Sequence, residues 1–419
     1  MIDIDLVRKN PQVIRESLRK RNMDERVLDD VVEADREWRE LLTEINSMRK
    51  ERNNSAREIA ELNGEEKIKA IARTRELSGA IEEKERRLSD IEQRRFTMLS
   101  YVPNILLPSV PYGRSDEDDV EVKRWGDIRE FDFEPKDHVD IGLALDLFDT
   151  ERASRVSGAR FFYLKNEAVL LEFALVRYAF NILQKEGFMP VIPPVLTRES
   201  ALFGTGFLPF GEENIYRIKG EDLCLVGTAE VPLGAMHAEE ILSYKELPKY
   251  YAGFSTCFRT EAGAHGKDTK GIFRVHQFDK IEMFKYCLPE RSEEEHEALL
   301  RTAESIYQGL EIPYRVVNVC SGELGASAAK KYDIEAFLPG QGKYREVVSC
   351  SNCLDYQARR QMVRYRTKDG EMRYVHTLNS TAIAIERAIV AILENYQQKD
   401  GSVVVPEALR NYMGAEKIE

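Results

Sequence analysis

The stretch Phe258-Arg259-Thr260-Glu261, a polar glycine-punctuated run over 262–271, and then Ile272-Phe273-Arg274-Val275-His276-Gln277-Phe278-Asp279-Lys280-Ile281-Glu282 concentrates groups that could do chemistry on a nucleotide. The pattern reads as two strands joined by a long loop. Side chains alternate faces along a strand, so Arg259 and Glu261 share one face of the first, and Arg274, Phe278 and Glu282 one face of the second. Guanidinium forks suit phosphate oxygens, an aromatic face suits a base, and carboxylates accept amino protons. A solvated hairpin laced with cross-strand ion pairs has the same appearance.

The segment resembles motif 2 of the class II aminoacyl-tRNA synthetases, in which the Arg-x-Glu and the loop behind it bind ATP. Gly187-Phe188-Met189-Pro190-Val191-Ile192-Pro193-Pro194 looks like motif 1, and Asn379-Ser380-Thr381-Ala382-Ile383-Ala384-Ile385-Glu386-Arg387 like motif 3. Between them, Thr228-Ala229-Glu230 and Glu346-Val347-Val348-Ser349-Cys350-Ser351-Asn352-Cys353 are similar to the seryl-tRNA synthetases in particular. The motifs follow the family's order and the match runs nearly end to end.

The resemblance implies a division of labour. Arg259 and Arg387 are the catalytic pair, taking the α-phosphate and the γ-phosphate of a bent ATP. Phe278 stacks on adenine, Val275 lines that pocket and Glu261 accepts from the adenine amino group, with Thr260 and Arg274 completing the motif 2 side of the ATP site. From the strand opposite, Glu346, Val347, Val348 and Ser349 belong to the same site. Glu346 and Ser349 hold magnesium there, and oxygen-only ligands suit that hard cation. Serine is bound by Thr228, Ala229, Glu230, Glu282 and Thr381, with Glu282 and Thr381 on the side-chain hydroxyl and Thr228 and Glu230 on the α-amino group. Thr228-Ala229-Glu230 also has the form of a helix start, with threonine as cap and glutamate in the first turn. The family often has Asn-Gly-Ser where this chain has Asn379-Ser380-Thr381; Thr381 keeps the hydroxyl and adds a methyl.

The positioning elements follow from the rest of the chain. At 419 residues it exceeds one ordinary core, so two domains are expected. The series Val31, Ala34, Trp38, Leu41, Ile45, Met48, Arg52, Ser55, Ile59 and Leu62 recurs at alternating spacings of three and four, as a coiled-coil seam requires. Asn63-Gly64 breaks the pattern, and Leu77, Ile81, Leu88, Ile91 and Met98 resume it. Two such helices must fold back on each other, giving an antiparallel helical hairpin: a coiled-coil arm. Pro103 stops the second helix. The arm carries little net charge in a chain of formal charge −12, so its lysines and arginines could form a stripe for phosphates; most such charges simply solvate a coiled coil.

Beyond it, the acidic run Arg114–Asp119 reads as a solvated linker, 166–187 as a helix, 314–319 and 345–349 as buried strands, and 381–396 as an apolar helix. The fold class is α+β: an arm over residues 1–105 that binds tRNA, and a catalytic domain over 106–419 in which the resemblance implies the class II antiparallel sheet flanked by helices. Six scattered cysteines with one Cys-x-x-Cys, Cys350 and Cys353, lack the second half of a zinc site, so reduced thiols and no structural zinc are expected. No P-loop is present. With no apolar run of membrane-spanning length and no leader-like start, the expectation is a cytoplasmic protein with no membrane partner. The family implies a homodimer acting on ATP, L-serine and tRNA(Ser), with tRNA(Sec) as a further candidate. Two rivals are a ligase that loads a carrier protein, for which the long arm has no use, and a non-catalytic coiled-coil protein, for which Arg259, Glu261, Glu282, Glu346 and Arg387 have none.

Overall fold

A computed structural model describes residues 1–262 and 270–419; most of the expected loop over 262–271 therefore lies outside the described residues. The chain divides into two compact units, one spanning 2–103 and the other Met1 with 104–419.

In the first unit, helices Ile4–Lys9 and Pro11–Lys20 precede two long helices, Arg26–Glu58 and Gly64–Ser100. The long pair closes on Leu41, Ile45, Ile81 and Ile91, flanked by Trp38, Met48, Leu77 and Leu88. These are the seam positions that the three-four spacing selects. Ile59 and Leu62 differ from that reading: the helix ends at Glu58, and both residues lie in the reversal before Gly64, whose φ is +61°. A chain reversal needs residues of its own, and the last two seam positions supply them.

Asp35, 2% exposed on the first long helix, carries three guanidinium groups. Arg8 grips it at 2.8 and 2.9 Å, Arg95 at 2.8 Å and Arg39 at 3.0 Å. Burial works against its ionisation, but Arg8 and Arg95 outweigh it and hold the carboxyl below its ordinary value of 3.8. One carboxylate thus ties the short first helix and both long helices together. Asp35→Ala would strand these cations, two of which are at least two-thirds covered, and should cost about 2–3 kcal/mol of stability in urea melts followed by helical circular dichroism. A depressed carboxyl contributes above its unfolded pKa and loses that contribution as pH falls through the folded value, so the gap between parent and variant should shrink below about pH 4.

The second unit is built on an eight-stranded sheet in the order Val120–Trp125, Tyr314–Asn318, Lys330–Leu338, Lys343–Leu354, His376–Ala384, Gln277–Cys287, Lys249–Phe258, Met189–Val191. All neighbours are antiparallel except the last pair. Period-two alternation sorts the central strand Gln277–Cys287. Ile281, Met283 and Cys287 enter the main core with Leu171 and Leu175 of helix Glu167–Lys185, Leu299 and Ile306 of helix Ser292–Gly309, and Ile389 and Ile392 of helix Ile385–Tyr396. Phe278, Lys280 and Glu282, on the other face, line a cleft. The fold is α+β, and among the described residues no helix is long and apolar enough to cross a membrane.

Three sequence readings require correction. The hairpin strands are shorter than the pattern suggests. The first ends at Phe258 and the second begins at Gln277, so Arg259, Glu261 and Arg274 lie beyond the strands. Only one further rung forms, Arg259 N–H to the His276 carbonyl at 2.9 Å, before Thr260 turns aside to donate its N–H to Asn214 and Glu261 adopts φ +50°. The run 381–396 is not helix throughout: its first four residues finish the strand His376–Ala384, and the helix starts at Ile385. An all-apolar stretch buried on every side cannot reveal by periodicity where a strand becomes a helix. The acidic run is not a free linker either, since Asp119 accepts the Cys320 N–H at 2.8 Å and Asp118 that of Arg114 at 2.7 Å.

Candidate active site

Three adjoining cavities of about 200, 500 and 680 Å³ form one cleft over the sheet, sharing Arg259, Glu261, Arg274, Glu346 and Arg387 along their borders. Two departures from regular strand geometry aim residues into it. Glu346 and Ser349 are three apart and would face opposite ways on a regular strand. Pairing runs from Ile334–Val348 to Glu335–Glu346, so Val347 is an extra residue, and this bulge turns Glu346 and Ser349 to the same side. A second register shift makes Ala382 the extra residue between Thr381, paired with Glu282, and Ile383, paired with Ile281.

On the outer side of the cleft the Arg259 guanidinium lies 5.2 Å from the Phe278 ring centroid, its Nε donating to the Gly227 carbonyl at 3.1 Å. Arg274 and Glu261 are paired at 2.8 Å. Arg387 donates to the Glu346 carbonyl at 2.8 Å, and its guanidinium stands 4.8 Å from the Phe273 ring, with Arg345 at 4.1 Å. Burial favours the neutral form of Glu346, yet Arg387, Lys331 and Arg259 outweigh it and hold the carboxyl below 4.5, with 43% of the side chain still open. The wall therefore offers cations and an ionised, accessible carboxylate together.

The inner end is closed and polar. Glu282, 2% exposed, pairs with Lys280 and lies 3.4 Å from the Thr228 hydroxyl. That hydroxyl also accepts the Glu230 N–H at 3.2 Å, but the cap position of helix Glu230–Ala235 is Ala229, not Thr228, which stands one residue earlier and lines the cleft. Glu230 Oε1 accepts from Asn379 at 2.9 Å and Gln357 at 2.8 Å, and Gln357 in turn accepts from Thr377 at 2.7 Å. Burial and the neighbouring Glu282 push the Glu230 carboxyl up to about 7. Glu386, also buried, takes the Asp279 N–H at 3.1 Å on both oxygens, and burial followed by the Asp279 charge drives it well above 4.5.

Of the residues singled out from sequence, Arg259, Glu261, Arg274, Val275, Phe278, Glu346, Val347, Ser349 and Arg387 line one cavity together with Thr228, Glu230, Glu282 and Thr381. Three others are placed differently. Thr260 gives its hydroxyl to the Glu213 carbonyl, Val348 is in the main core, and Ala229 is packed in a second core cluster. Sequence reasoning passed over Lys280, Phe273, Asn379 and Gln357. Lys280 could have been found, being two residues before Glu282 and hence on its face; Gln357 stands four residues past the 346–353 segment, and nothing in the sequence marks it as a partner of Glu230.

Residues 1–106 match a sequence profile described as the seryl-tRNA synthetase N-terminal domain, and 215–396 match the tRNA synthetase class II core domain (G, H, P, S and T). A serine–tRNA ligase of Dictyoglomus turgidum is 50% identical across all of this chain and 99% of its own, and one of Pyrococcus horikoshii 48% identical across 100% and 97%. The chain belongs to the seryl-tRNA synthetase family. The crystal structure of the Pyrococcus horikoshii enzyme complexed with ATP superimposes with a TM-score of 0.97, covering 100% of this chain and 99% of that one. A cytoplasmic serine–tRNA ligase of Naegleria fowleri in complex with AMP, 37% identical with the same coverage, gives 0.91. A Giardia lamblia prolyl-tRNA synthetase, 18% identical, shares the fold alone at 0.56.

The raised carboxyl of Glu230 has a stability signature. A group whose folded pKa exceeds its unfolded value contributes below the unfolded value, here 4.5, and loses that contribution as pH rises through about 7. Glu230→Gln cannot ionise and should escape the loss. Urea unfolding free energies measured at pH 5.5 and 8.5 should therefore show the variant gaining on the parent by up to about 2 kcal/mol.

Proposed function

We propose that the cleft activates L-serine with ATP and passes it to the 3′ end of tRNA(Ser), with the residue roles that follow. The carboxylate of serine attacks the α-phosphorus, the bond to pyrophosphate breaks, and seryl-adenylate forms; a terminal tRNA hydroxyl then attacks the acyl carbon and AMP leaves. The attacking carboxylate is already a nucleophile, so the protein positions reactants and neutralises charge rather than supplying a base. Arg259 takes the α-phosphate where charge develops, Arg387 the γ-phosphate, and Phe278 and Val275 hold the adenine with Glu261 on its amino group. The observation that carries this reading is the convergence of both arginines, the ring and the polar inner pocket on one cavity.

Serine fits the inner end. Glu282 and Thr381, cross-strand partners, read the hydroxyl, and Glu230 with Thr228 reads the ammonium group. A site built to hydrogen-bond a hydroxyl rejects the analogue lacking it far better than one that fits shape alone. Magnesium suits the donor set on the wall. Among the described residues no cluster of three or more His, Cys, Asp or Glu side chains is placed for a metal ion, but the Val347 bulge turns one carboxylate and one hydroxyl, Glu346 and Ser349, the same way. Magnesium is usually held by few protein oxygens, with phosphates and water completing its shell. When bound it would neutralise phosphate charge.

The unit from residue 1 to about 105 is the tRNA-binding arm, and 106–419 the catalytic domain; tRNA(Sec) is a second candidate substrate. The enzyme acts as a homodimer through its motif 1 region, where Met189 and Ile192 expose apolar side chains, as do Leu170 and Phe173 on the preceding helix Glu167–Lys185. All six cysteines are free thiols, which suits a reducing compartment and supports a cytoplasmic location.

Amino-acid-dependent ATP–pyrophosphate exchange across all twenty amino acids tests the activity: serine alone should support it strongly, and exchange with no amino acid preference would overturn the assignment. Arg259→Ala should lose about a hundredfold in that assay while remaining folded, the usual effect of removing one donor at developing charge. Replacing residues 33–95 by a short linker should spare exchange and abolish transfer to tRNA. Efficient charging by that truncated protein would move tRNA recognition into the catalytic domain.

A further inference from the structure

Gly271, where the chain re-enters the nucleotide side of the cleft, is held by residues that belong to none of the motifs. Its φ of +72° favours glycine, and a β-carbon there would fall 2.1 Å from Nε2 of His138 and 2.9 Å from a methyl of Val139. The backbone thus lies directly against the imidazole edge. His138 is 4% exposed and opens helix His138–Ala144, whose cap Asp137 accepts from Val139 and Asp140 at 3.0 Å. Among the described residues its Nε2 has no hydrogen-bond partner, while its Nδ1 and its backbone N–H meet Glu394 Oε1 at 3.2 and 3.1 Å.

Glu394 is fully buried and takes two further donors, Gly340 N–H at 3.0 Å and Gln341 Nε2 at 3.3 Å. It stands on the same helix as Arg387, seven residues later, which is two turns along one stripe, or about 10 Å. Gln341 links back to the cleft, accepting from Arg345 at 2.6 Å, and the Arg345 and Arg387 guanidinium groups both lie against the Phe273 ring. One helix therefore fixes both ends of the segment 271–273: Glu394 through His138 at Gly271, Arg387 directly at Phe273. The next two residues, Arg274 and Val275, line the cleft.

We propose that His138 and Glu394 are positioning residues for the ATP site, acting through Gly271 to set where Arg274 and Val275 stand. The proposal rests on reading the cleft as the ATP site. It predicts loss of nucleotide affinity from residues that touch no nucleotide, with the inner serine pocket little affected.

The test compares the full-length parent with His138→Asn, His138→Ala, Gly271→Ala and the double variant His138→Ala/Gly271→Ala. The readouts are ATP binding by calorimetry without serine, and ATP KM, serine KM and kcat in pyrophosphate exchange. His138→Asn keeps a donor for Glu394 but loses the ring edge, so it should fold as the parent does and raise ATP Kd and KM about 3- to 10-fold, with serine KM within about twofold. Gly271→Ala should raise them about tenfold or more, and removing the ring should relieve the added methyl, so the double variant should bind ATP better than the product of the single effects allows. The proposal is overturned by an unchanged ATP Kd in His138→Asn and Gly271→Ala, by equal loss of ATP and serine affinity, or by effects that simply multiply. Should His138→Ala not fold, His138→Asn with Gly271→Ala decides the matter in the same way. A parent without serine-dependent exchange would refute the assigned activity instead, leaving the calorimetric comparison to judge the positioning role.

Discussion

Lys280 and Glu282 lie side by side on the cleft floor with 8% and 2% of their side chains exposed, and much of the catalytic unit is arranged around the charge they carry. Removing such groups from water is expensive unless each finds a partner, and the expense grows with every further carboxylate brought near. Glu230 is the third member, and its neighbours are neutral amide donors, Gln357 and Asn379, rather than another cation. The two flanking carboxyls differ in consequence: burial beside Glu282 pushes Glu230 up to about 7, while Arg387, Lys331 and Arg259 hold Glu346 below its ordinary value.

The outer wall solves the opposite problem, collecting Arg259, Arg274, Arg345 and Arg387 without mutual repulsion dispersing them. Rings and carbonyls share the work with carboxylates. Phe273 lies within reach of two guanidinium groups, Phe278 of a third, and the Gly227 and Glu346 carbonyls accept from two. Weak partners of this kind hold an arginine in place without neutralising it, so its charge remains available to phosphate oxygens.

How much of this could be read from the chain depended on the range over which each signal acts. The seam residues Leu41, Ile45, Ile81 and Ile91 were legible because a coiled coil repeats one local rule many times. Arg259, Phe278, Glu282, Glu346 and Arg387 were legible because motif order carries information that composition lacks. The strand limits at Phe258 and Gln277 were not, since the tertiary contacts of Thr260 with the 213–214 turn end the ladder there. Helix Ser292–Gly309 escaped notice although ten of its residues are buried, because charged residues such as Glu295 and Glu304 occupy its inner face and blur the apolar stripe. His138 lies farther still from any pattern, meeting Glu394 across more than two hundred residues of chain.

The bulge at Val347 bears on how such a strand can change over time. Side chains along Lys343–Leu354 can be exchanged for others of like chemistry one at a time, and the cleft would tolerate or reject each on its merits. The number of residues is under a different rule. Deleting Val347 would leave Glu346 and Ser349 present, yet they would no longer face the same way. Length along this strand is therefore heritable information in its own right, a spacing to be copied faithfully alongside the apolar side chain that position 347 gives to the core.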